Sequence, residues 1–590
     1  MKNLTPDSKK NKKVLIVAEV ANAHQGSMEQ AEKLVKAAGD AGVDAVKFQM
    51  FTADELCSKT HSRYEHFKKL ELSGEKIRRL SDAAHRNKLQ FFCDAFGLQS
   101  ADFLISLPAE GIKIHSSDLS NIHLLRCLAG WTGKIMLSCG GASELEIYRT
   151  ITNLGASAQD LILLHGFQGF PTAIEETHLR RIDFLRKTFR LPVGFMDHID
   201  AEDEMAFTLP LLSISAGVVL IEKHLTLDRS LKGIDYYSSL NPSEMKKFVQ
   251  QVRCAEKALG SKHISFDSQE RQYREKMKKH LVAARDISSG CVIKESDFTY
   301  VRTEDDSFPL SFDSVTGRKA KTDISKDEAI KLSHLSLKTG ILIIARMNSS
   351  RLQGKALIPI LNRPALSYLI ERAKLCRSAD AIVLCTTTNV EDDALVNLAV
   401  KEGISYYRGD TLDVLSRMLG GCKQEQLDIA VRVTGDDILL SPDHLDQAVR
   451  RLMDTNSDYC HNKGLPSGME CEVFTVKALK TISDFAEYPE NTEYLTYYVS
   501  SENFNKTKLN VEPRFRSDIS LTLDTREDLE RITFLLENIY RKDSLFTQDE
   551  LIDLINRYPD RFRKKGETKD YMQVRDSLNC DLNFGRRFDK

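Results

Sequence analysis

In the first half of this 590-residue chain, polar residues stand at the ends of eight short apolar runs, and their types define a chemistry. Lys47 and Lys113, with the hydroxyls of Ser116 and Ser138, offer ammonium and O–H donors that suit a ligand carrying phosphate and carboxylate together. His198 and His224 close neighbouring runs. A pair of neutral imidazoles suits a divalent cation that keeps open positions. Glu19 and Glu222 supply carboxylates for proton transfer. Each residue alone has an ordinary explanation, as a cap, a surface group or a core hydrogen-bonder. A desolvated Lys47 or Lys113 would also serve a Schiff-base aldolase. It is the recurrence that points to a site: Glu19, Lys47 with Gln49, Asp94, Lys113 with Ser116, Ser138, His165, Asp197 with His198, and Glu222 with His224.

A second constellation lies downstream. The stretch A-R-M-N-S-S-R-L-Q-G-K at 345–355 directly follows an apolar run. Backbone amides of such a loop, with Arg346, Ser349, Arg351 and Lys355, can wrap a triphosphate. T-G-D-D at 434–437 and L-D-T-R-E-D-L at 523–529 each set an aspartate, Asp436 and Asp524, at a run end. Two carboxylates beside a triphosphate are what Mg²⁺ asks for.

The elements that must position these groups follow from periodicity. Runs at 14–20, 45–48, 89–92, 111–114, 134–137, 161–164, 193–195 and 218–221 read as strands, with helical spacing between them, as over 28–41. Eight strand–helix units in this length predict a (β/α)₈ barrel over 14–265, whose strand ends converge on one mouth. An open doubly wound sheet is the other arrangement of such units. Residues 261–280 are polar and read as a linker. A small β-rich segment spans 281–337, and a second, Rossmann-like α/β domain spans 339–560. Its strands are predicted at 341–345, 381–385, 429–434 and 519–523, and its helices over 363–375 and 526–540.

Composition excludes several classes of function. Charged residues make up 28% and apolar ones 42%, and the net charge is −2, which gives no reason to expect a nucleic-acid or membrane partner. The twelve cysteines form no C-x-x-C pair, the pattern of a reduced cytoplasmic protein without structural zinc. The most apolar stretch, 207–221, contains Pro210 and serines and is too short for a membrane span.

The motifs add a resemblance. A-E-V-A-N-A-H-Q-G-S at 18–27, A-G-V-D-A-V-K-F-Q at 41–49, G-I-K-I-H-S-S-D at 111–118, G-F-M-D-H at 194–198 and E-K-H-L-T-L-D-R at 222–229 resemble the N-acetylneuraminate (sialic acid) synthases. L-V-A-A-R-D-I at 281–287 is similar to the start of that family's antifreeze-like (SAF) domain. The resemblance implies condensation of phosphoenolpyruvate with the aldehyde of an aldose. Lys47, Lys113, Ser116 and Ser138 would hold phosphoenolpyruvate, and His198 and His224 would hold Mn²⁺ or Mg²⁺. Glu19 and Glu222 would carry protons, and Asp118, Gln168 and Arg302 would face the sugar. It further implies a homodimer, in which the SAF domain of one subunit presents an arginine to the other's barrel. Val301 and Arg302 sit at the matching place, followed by Thr303 and Glu304 instead of Pro-Gly.

The second half resembles spore-coat-polysaccharide-type cytidylyltransferases, relatives of the acylneuraminate and 3-deoxy-octulosonate enzymes. T-T-T-N-V-E-D-D at 386–393, R-G-D-T-L-D-V-L at 408–415 and G-M-E-C-E-V-F at 468–474 carry it. The resemblance implies that Arg346, Ser349, Arg351 and Lys355 bind CTP and that Asp436 and Asp524 hold Mg²⁺. One half would then make what the other activates. A barrel that only binds a sugar and scaffolds the transferase is the non-catalytic alternative.

Departures from the synthase pattern gather on the sugar side. Ala23 stands for an Asn, and Asp94, Ala95 and Phe96 stand for Thr-Pro-Phe. Met196 stands for a Ser, Gln168, Gly169 and Phe170 for Asn-x-Tyr, and Ile234, Asp235 and Tyr236 for Pro-Asp-His. N-acetylmannosamine is therefore expected to be a poor acceptor. Each missing hydrogen bond to a buried hydroxyl costs about 1–3 kcal/mol, so two or three reduce efficiency by orders of magnitude. Comparing kcat/KM for N-acetylmannosamine with that for other aldoses checks this, and efficient turnover of N-acetylmannosamine refutes it.

Overall fold

The computed structural model describes residues 13–155, 160–261, 264–348, 351–487, 492, 494–541, 546–562, 580 and 582–587. The chain divides into two compact units at His263/Ile264. In the first, β1 (Leu15–Ala21), β2 (Ala45–Met50), β3 (Gln90–Ala95), β4 (Gly111–Ile114), β5 (Lys134–Ser138), β6 (Leu161–His165), β7 (Val193–Asp197) and β8 (Leu220–His224) close into an all-parallel barrel. Closure runs through β1 and β8, which pair from Leu15↔Leu220 to Glu19↔His224. This is the barrel rather than the open sheet. The helices between strands form where the spacing placed them. In Met28–Ala41 the Ser27 side chain caps the start, Gly42 at φ 82° ends it, and Ala31, Leu34, Val35 and Ala38 face the strands.

Strand alternation decides which side chains meet inside the barrel. Val17, Ala45, Phe92, Met136, Ile162, Leu164, Met196 and Leu220 form a buried interior cluster. Two residues further along most of these strands come Glu19, Lys47, Asp94, Ser138 and Glu222, and Lys113 joins them on β4. An apolar plug therefore floors a charged mouth. The same parity turns His165 and Asp197 outward. The His165 ring bonds the Thr177 carbonyl at 2.8 Å, and Asp197 pairs with the buried Lys223 ammonium, so neither belongs to the mouth.

In the second unit, β9 (His280–Ala283) and β10 (Phe298–Val301) form an antiparallel pair. The α/β part contains β11 (Thr339–Ile344), the two-residue pair β12 (Pro359–Ile360) and β13 (Arg363–Pro364), and β14 (Ala381–Thr387). It continues with β15 (Ser405–Gly409), β16 (Ile429–Thr434), β17 (Tyr459–His461), β18 (Glu472–Thr475) and β19 (Lys506–Lys508). Its seven-stranded sheet has the order β15-β14-β11-β16-β18-β17-β19. The chain moves from β11 outward to β15, then returns to β16 on the other side of β11. The crevice beyond the ends of β11 and β16 is therefore the topological switch point, where such sheets bind ligands.

Two sequence expectations are corrected here. The segment read as a linker carries the helix Ser268–Met277, capped by Asp267 and with no buried residue, which is why it had no apolar signature. The run at 519–523 is extended but forms only an isolated bridge, Ser467↔Ser520, because its bonds go to the loops at Ser467 and Asp436.

The β9–β10 segment and the α/β part share one hydrophobic core, with Leu281, Ile293, Val315 and Leu335 in the same cluster as Ile341, Val449 and Leu452. Asn456 joins them. It is 4% exposed, and its side chain accepts from Leu332 N at 2.8 Å and donates to Phe308 O at 2.9 Å and Ser307 Oγ at 3.2 Å. Asn456→Ala leaves these buried groups unpaired and should destabilise the second unit by at least about 2 kcal/mol. Calorimetry of the full chain should show the second unit's transition moving down and the barrel's staying in place. Equal movement of both would contradict this account.

Candidate active sites

At the barrel mouth five buried ionisable groups interlock. Lys47 Nζ lies 2.5 Å from Asp94 Oδ1 and 3.6 Å from Glu222 Oε2, and also contacts Glu19. Lys113 Nζ lies 2.7 Å from Glu222 Oε1 and 3.7 Å from Asp94 Oδ2. Burial raises the Glu19 pKa to about 8, with Glu222 and Asp94 adding to the rise against Lys47. Burial alone would also raise Glu222, but Lys113 and Lys47 hold it down near 2. The two carboxylates expected to carry protons are thus separated by environment, Glu19 protonated and Glu222 ionised near neutrality.

Beside the lysines, Gln168 Nε2 donates to Ser138 Oγ at 3.0 Å and to Ser116 Oγ at 3.4 Å. The two hydroxyls named from sequence therefore meet, and Gln168, expected on the sugar, joins them. His198 and His224 also meet, with ring centroids 5.2 Å apart. The carbonyl of Phe167 accepts a hydrogen bond from His198 Nδ1–H at 2.9 Å, leaving Nε2 as a lone-pair donor. Burial lowers the His198 pKa to about 4 and takes His224 well below the usual imidazole value. Two neutral imidazoles, one held by a backbone carbonyl, fit the demands of a divalent cation. Among the described residues no group of three or more His, Cys, Asp or Glu could hold a metal. Water and substrate oxygens would fill the other positions, as a Lewis-acid site requires.

The sugar-side residues divide. The Phe170 ring stands 4.5 Å from the His198 ring and 6.3 Å from that of His224, an apolar wall beside the imidazoles. Asp118 is held within its own turn by Ser117 Oγ at 2.8 Å and Asn121 Nδ2 at 2.9 Å. Arg302 follows β10 in the second unit and is exposed. Asp94, read from the sequence both as a strand-end residue of the mouth and as a departure on the sugar side, lies between the two lysines. Its place at the end of the third apolar run was the available signal, and the β3–β4 register, Asp94↔Lys113, sets it beside Lys113.

At the switch point of the second unit, Lys355 Nζ bridges Asp436 and Asp524, lying 3.0 Å from Asp524 Oδ1. Arg351 Nη2 reaches the same Asp524 oxygen at 3.0 Å. A cation spanning two carboxylates marks a place where Mg²⁺ would fit. Gly435 is required there, because a Cβ would come 2.7 Å from the Ala345 Cβ. Two residues were missed from sequence. Asp437, beside Asp436, is half-buried; desolvation and the Asp436 charge raise its pKa to about 7, and it accepts from Thr434 Oγ1 at 2.5 Å. Asp392 accepts from Met347 N at 2.7 Å and Thr387 N at 3.1 Å, tying the 345–355 loop to β14. Arg346 is exposed and takes no part in the Lys355 cluster; Ser349 lies outside the described residues.

Known proteins match in the same order. The NeuB family matches residues 34–264, the SAF domain 279–336 and a cytidylyltransferase domain 341–552. The chain is 32% identical to the N,N'-diacetyllegionaminic acid synthase of Legionella pneumophila, over 54% of this chain and 94% of that one. It is 30% identical to a pseudaminic acid synthase of Campylobacter jejuni, over 55% and 97%. A solved cytidylyltransferase from Leptospira borgpetersenii is 30% identical over 40% of this chain and 100% of that one, with a TM-score of 0.37. No helix among the described residues is long and apolar enough to cross a membrane.

The Glu19 environment gives a test of the barrel site. Between the ordinary value of 4.5 and about 8, the folded protein keeps a proton that the unfolded chain has released. The stability contributed by this group therefore falls as pH rises through that window, by up to about 1.4 kcal/mol per pH unit. Glu19→Gln should flatten the slope of barrel stability against pH, measured by denaturant unfolding at several pH values. An unchanged slope would show that Glu19 is ionised in the folded protein.

Proposed function

We propose that this chain, which belongs to the NeuB family and carries a SAF and a cytidylyltransferase domain behind its synthase domain, makes a nonulosonic acid and then activates it with CTP. In this reading C3 of phosphoenolpyruvate attacks the aldehyde carbon of an aldose, water adds at C2, and phosphate leaves. The product is a 3-deoxy-2-ulosonic acid. The observation that carries the reading is the pairing, in one mouth, of a buried lysine–carboxylate cluster with two neutral imidazoles. Relatives named for legionaminic and pseudaminic acids support a product of that class without committing it to sialic acid itself.

Lys47 and Lys113 hold the phosphate and carboxylate, aided by Ser116 and Ser138. Glu19, protonated, donates to the oxygen that becomes the new hydroxyl. Glu222, ionised, takes a proton from the water added at C2. A Mn²⁺ or Mg²⁺ ion at His198 and His224 would polarise the aldehyde. In the second unit Lys355, Arg351 and the 345–355 loop hold the triphosphate of CTP, and Asp392 fixes that loop. Mg²⁺ at Asp436 and Asp524 would neutralise developing phosphate charge. The anomeric hydroxyl of the sugar acid attacks the α-phosphorus and pyrophosphate leaves, giving the CMP-sugar. The reading takes the enzyme to be cytoplasmic and homodimeric, with Arg302 of each copy serving the other copy's barrel.

Two substitutions separate the halves. His198→Ala should abolish phosphate release from phosphoenolpyruvate with an aldose panel and leave CMP transfer to a supplied sugar acid intact. Asp436→Asn should do the reverse. Borohydride with pyruvate should leave no adduct on Lys47 or Lys113. A trapped lysine would establish the aldolase instead, and a wild-type protein that binds aldose without releasing phosphate would establish the scaffold.

A further inference from the structure

Asp94 has no part in that chemistry, yet it occupies the centre of the anion cradle. Its Oδ1 is 2.5 Å from Lys47 Nζ, its Oδ2 is 3.7 Å from Lys113 Nζ, and the whole side chain is buried. Lys47 is also fully buried, and its near neighbours of opposite charge are three carboxylates: Asp94, Glu19 and Glu222. An ammonium has three N–H donors. The Lys47 ammonium gives its hydrogen bond to Asp94 Oδ1, with Glu19 in contact and Glu222 Oε2 at 3.6 Å. With Glu19 protonated, the cluster still sets two further carboxylates, Glu222 and Asp94, against two ammoniums, so it offers an incoming anion no surplus positive charge. Where the synthase pattern has an uncharged Thr, this chain carries the extra carboxylate.

We propose that Asp94 is a specificity-determining residue that competes with the substrate's anionic group for Lys47 and so sets a weakened affinity for phosphoenolpyruvate. Glu19 and Glu222 have proton-transfer work that keeps them in place; Asp94 does not. Like Glu19 Oε2 and Glu222 Oε2, its Oδ2 has no hydrogen-bond partner among the described residues, and it lies 3.7 Å from Lys113 Nζ. It sits on β3 between the strands that bear the two lysines, paired Gln49↔Asp94 and Asp94↔Lys113. Binding of a phosphate or carboxylate oxygen at Lys47 must break the Lys47–Asp94 pair and place two anionic groups side by side. Their repulsion in a buried site lowers affinity.

The inference rests on the phosphoenolpyruvate reading for the identity of the ligand, and the test separates the two. Asp94→Asn removes the charge at constant shape, and Asp94→Thr provides a second variant if the first fails to fold. Binding of inorganic phosphate and of phosphoenolpyruvate to the full chain is measured by calorimetry, and turnover by phosphate release. Loss of one negative charge at this distance should tighten phosphoenolpyruvate binding by roughly tenfold or more. Inorganic phosphate should bind more tightly in the same direction. A variant that merely loosened the barrel would weaken both, so gained affinity is not a sign of damage. Unchanged or weaker binding of both anions in a folded variant overturns the proposal. Tighter phosphate binding with no response to phosphoenolpyruvate in any variant keeps the competition and overturns the functional reading.

Discussion

The Lys47 ammonium, fully buried among Asp94, Glu19 and Glu222, is the interaction on which the synthase unit depends. Removing such charges from water costs several kcal/mol each, and only mutual attraction with good geometry offsets it. The barrel supplies the geometry. Glu19, Lys47, Asp94, Lys113 and Glu222 come from five different strands, so their separation is fixed by backbone hydrogen bonding rather than by flexible side chains. The apolar plug beneath them keeps the dielectric low; that burial by itself lowers the Lys47 pKa, and Asp94, Glu19 and Glu222 hold it well above its usual value. Every other feature of the mouth is arranged around this cluster: the hydroxyls gathered by Gln168 and the imidazoles walled by Phe170.

The outward face of the same strands carries a second buried pair. Lys223 bonds Asp197 and the Ala206 carbonyl, the latter at 3.1 Å. Asp197 also accepts from Ile199 N at 3.1 Å. These groups alternate with His198 and His224, so a single set of strand ends holds the imidazoles inward and an ion pair outward. A hydrophobic pair of equal volume would often be as stable. What the ion pair adds is direction, since it ties β7, β8 and the helix that follows β7 at the point where the two rings must face each other.

Much of this was legible in the sequence because the barrel's inward polar residues are sparse and regularly spaced. Eight runs and their ends located Lys47, Lys113, Ser116, Ser138, His198, His224, Glu19 and Glu222 within one mouth. The errors have one source. Run ends do not tell inward from outward unless the register is known, so His165 and Asp197 were grouped with the mouth. In the second unit the 345–355 loop, Asp436 and Asp524 were readable because each follows a strong strand or opens a helix. Asp437 and Asp392 were not, because each works through a neighbour's backbone or hydroxyl rather than through a distinctive spacing. The strand expected at 519–523 failed for a related reason: its apolar residues fill the shared core, Leu521 and Leu523 among them, without a continuous strand to pair with.

The two sites are built alike in one respect and differ in another. Each holds an ammonium between carboxylates from separate elements, Lys47 among three and Lys355 between Asp436 and Asp524. At the second site the ligands expected to arrive carry both signs. A divalent cation takes the carboxylates and a triphosphate takes Lys355, so each partner released finds a replacement. At the barrel mouth the cation expected sits on His198 and His224, which are not part of the lysine cluster. The anion that reaches Lys47 therefore displaces a carboxylate for which no new cation is provided. Glu19 can meet that by keeping its proton, since its pKa is raised to about 8. In this reading Asp94, lying against Lys47 and within reach of Lys113, bears the repulsion. In the proposed reading the two sites differ in charge exchange: balanced where metal and nucleotide would enter together, and unbalanced where phosphoenolpyruvate would enter alone.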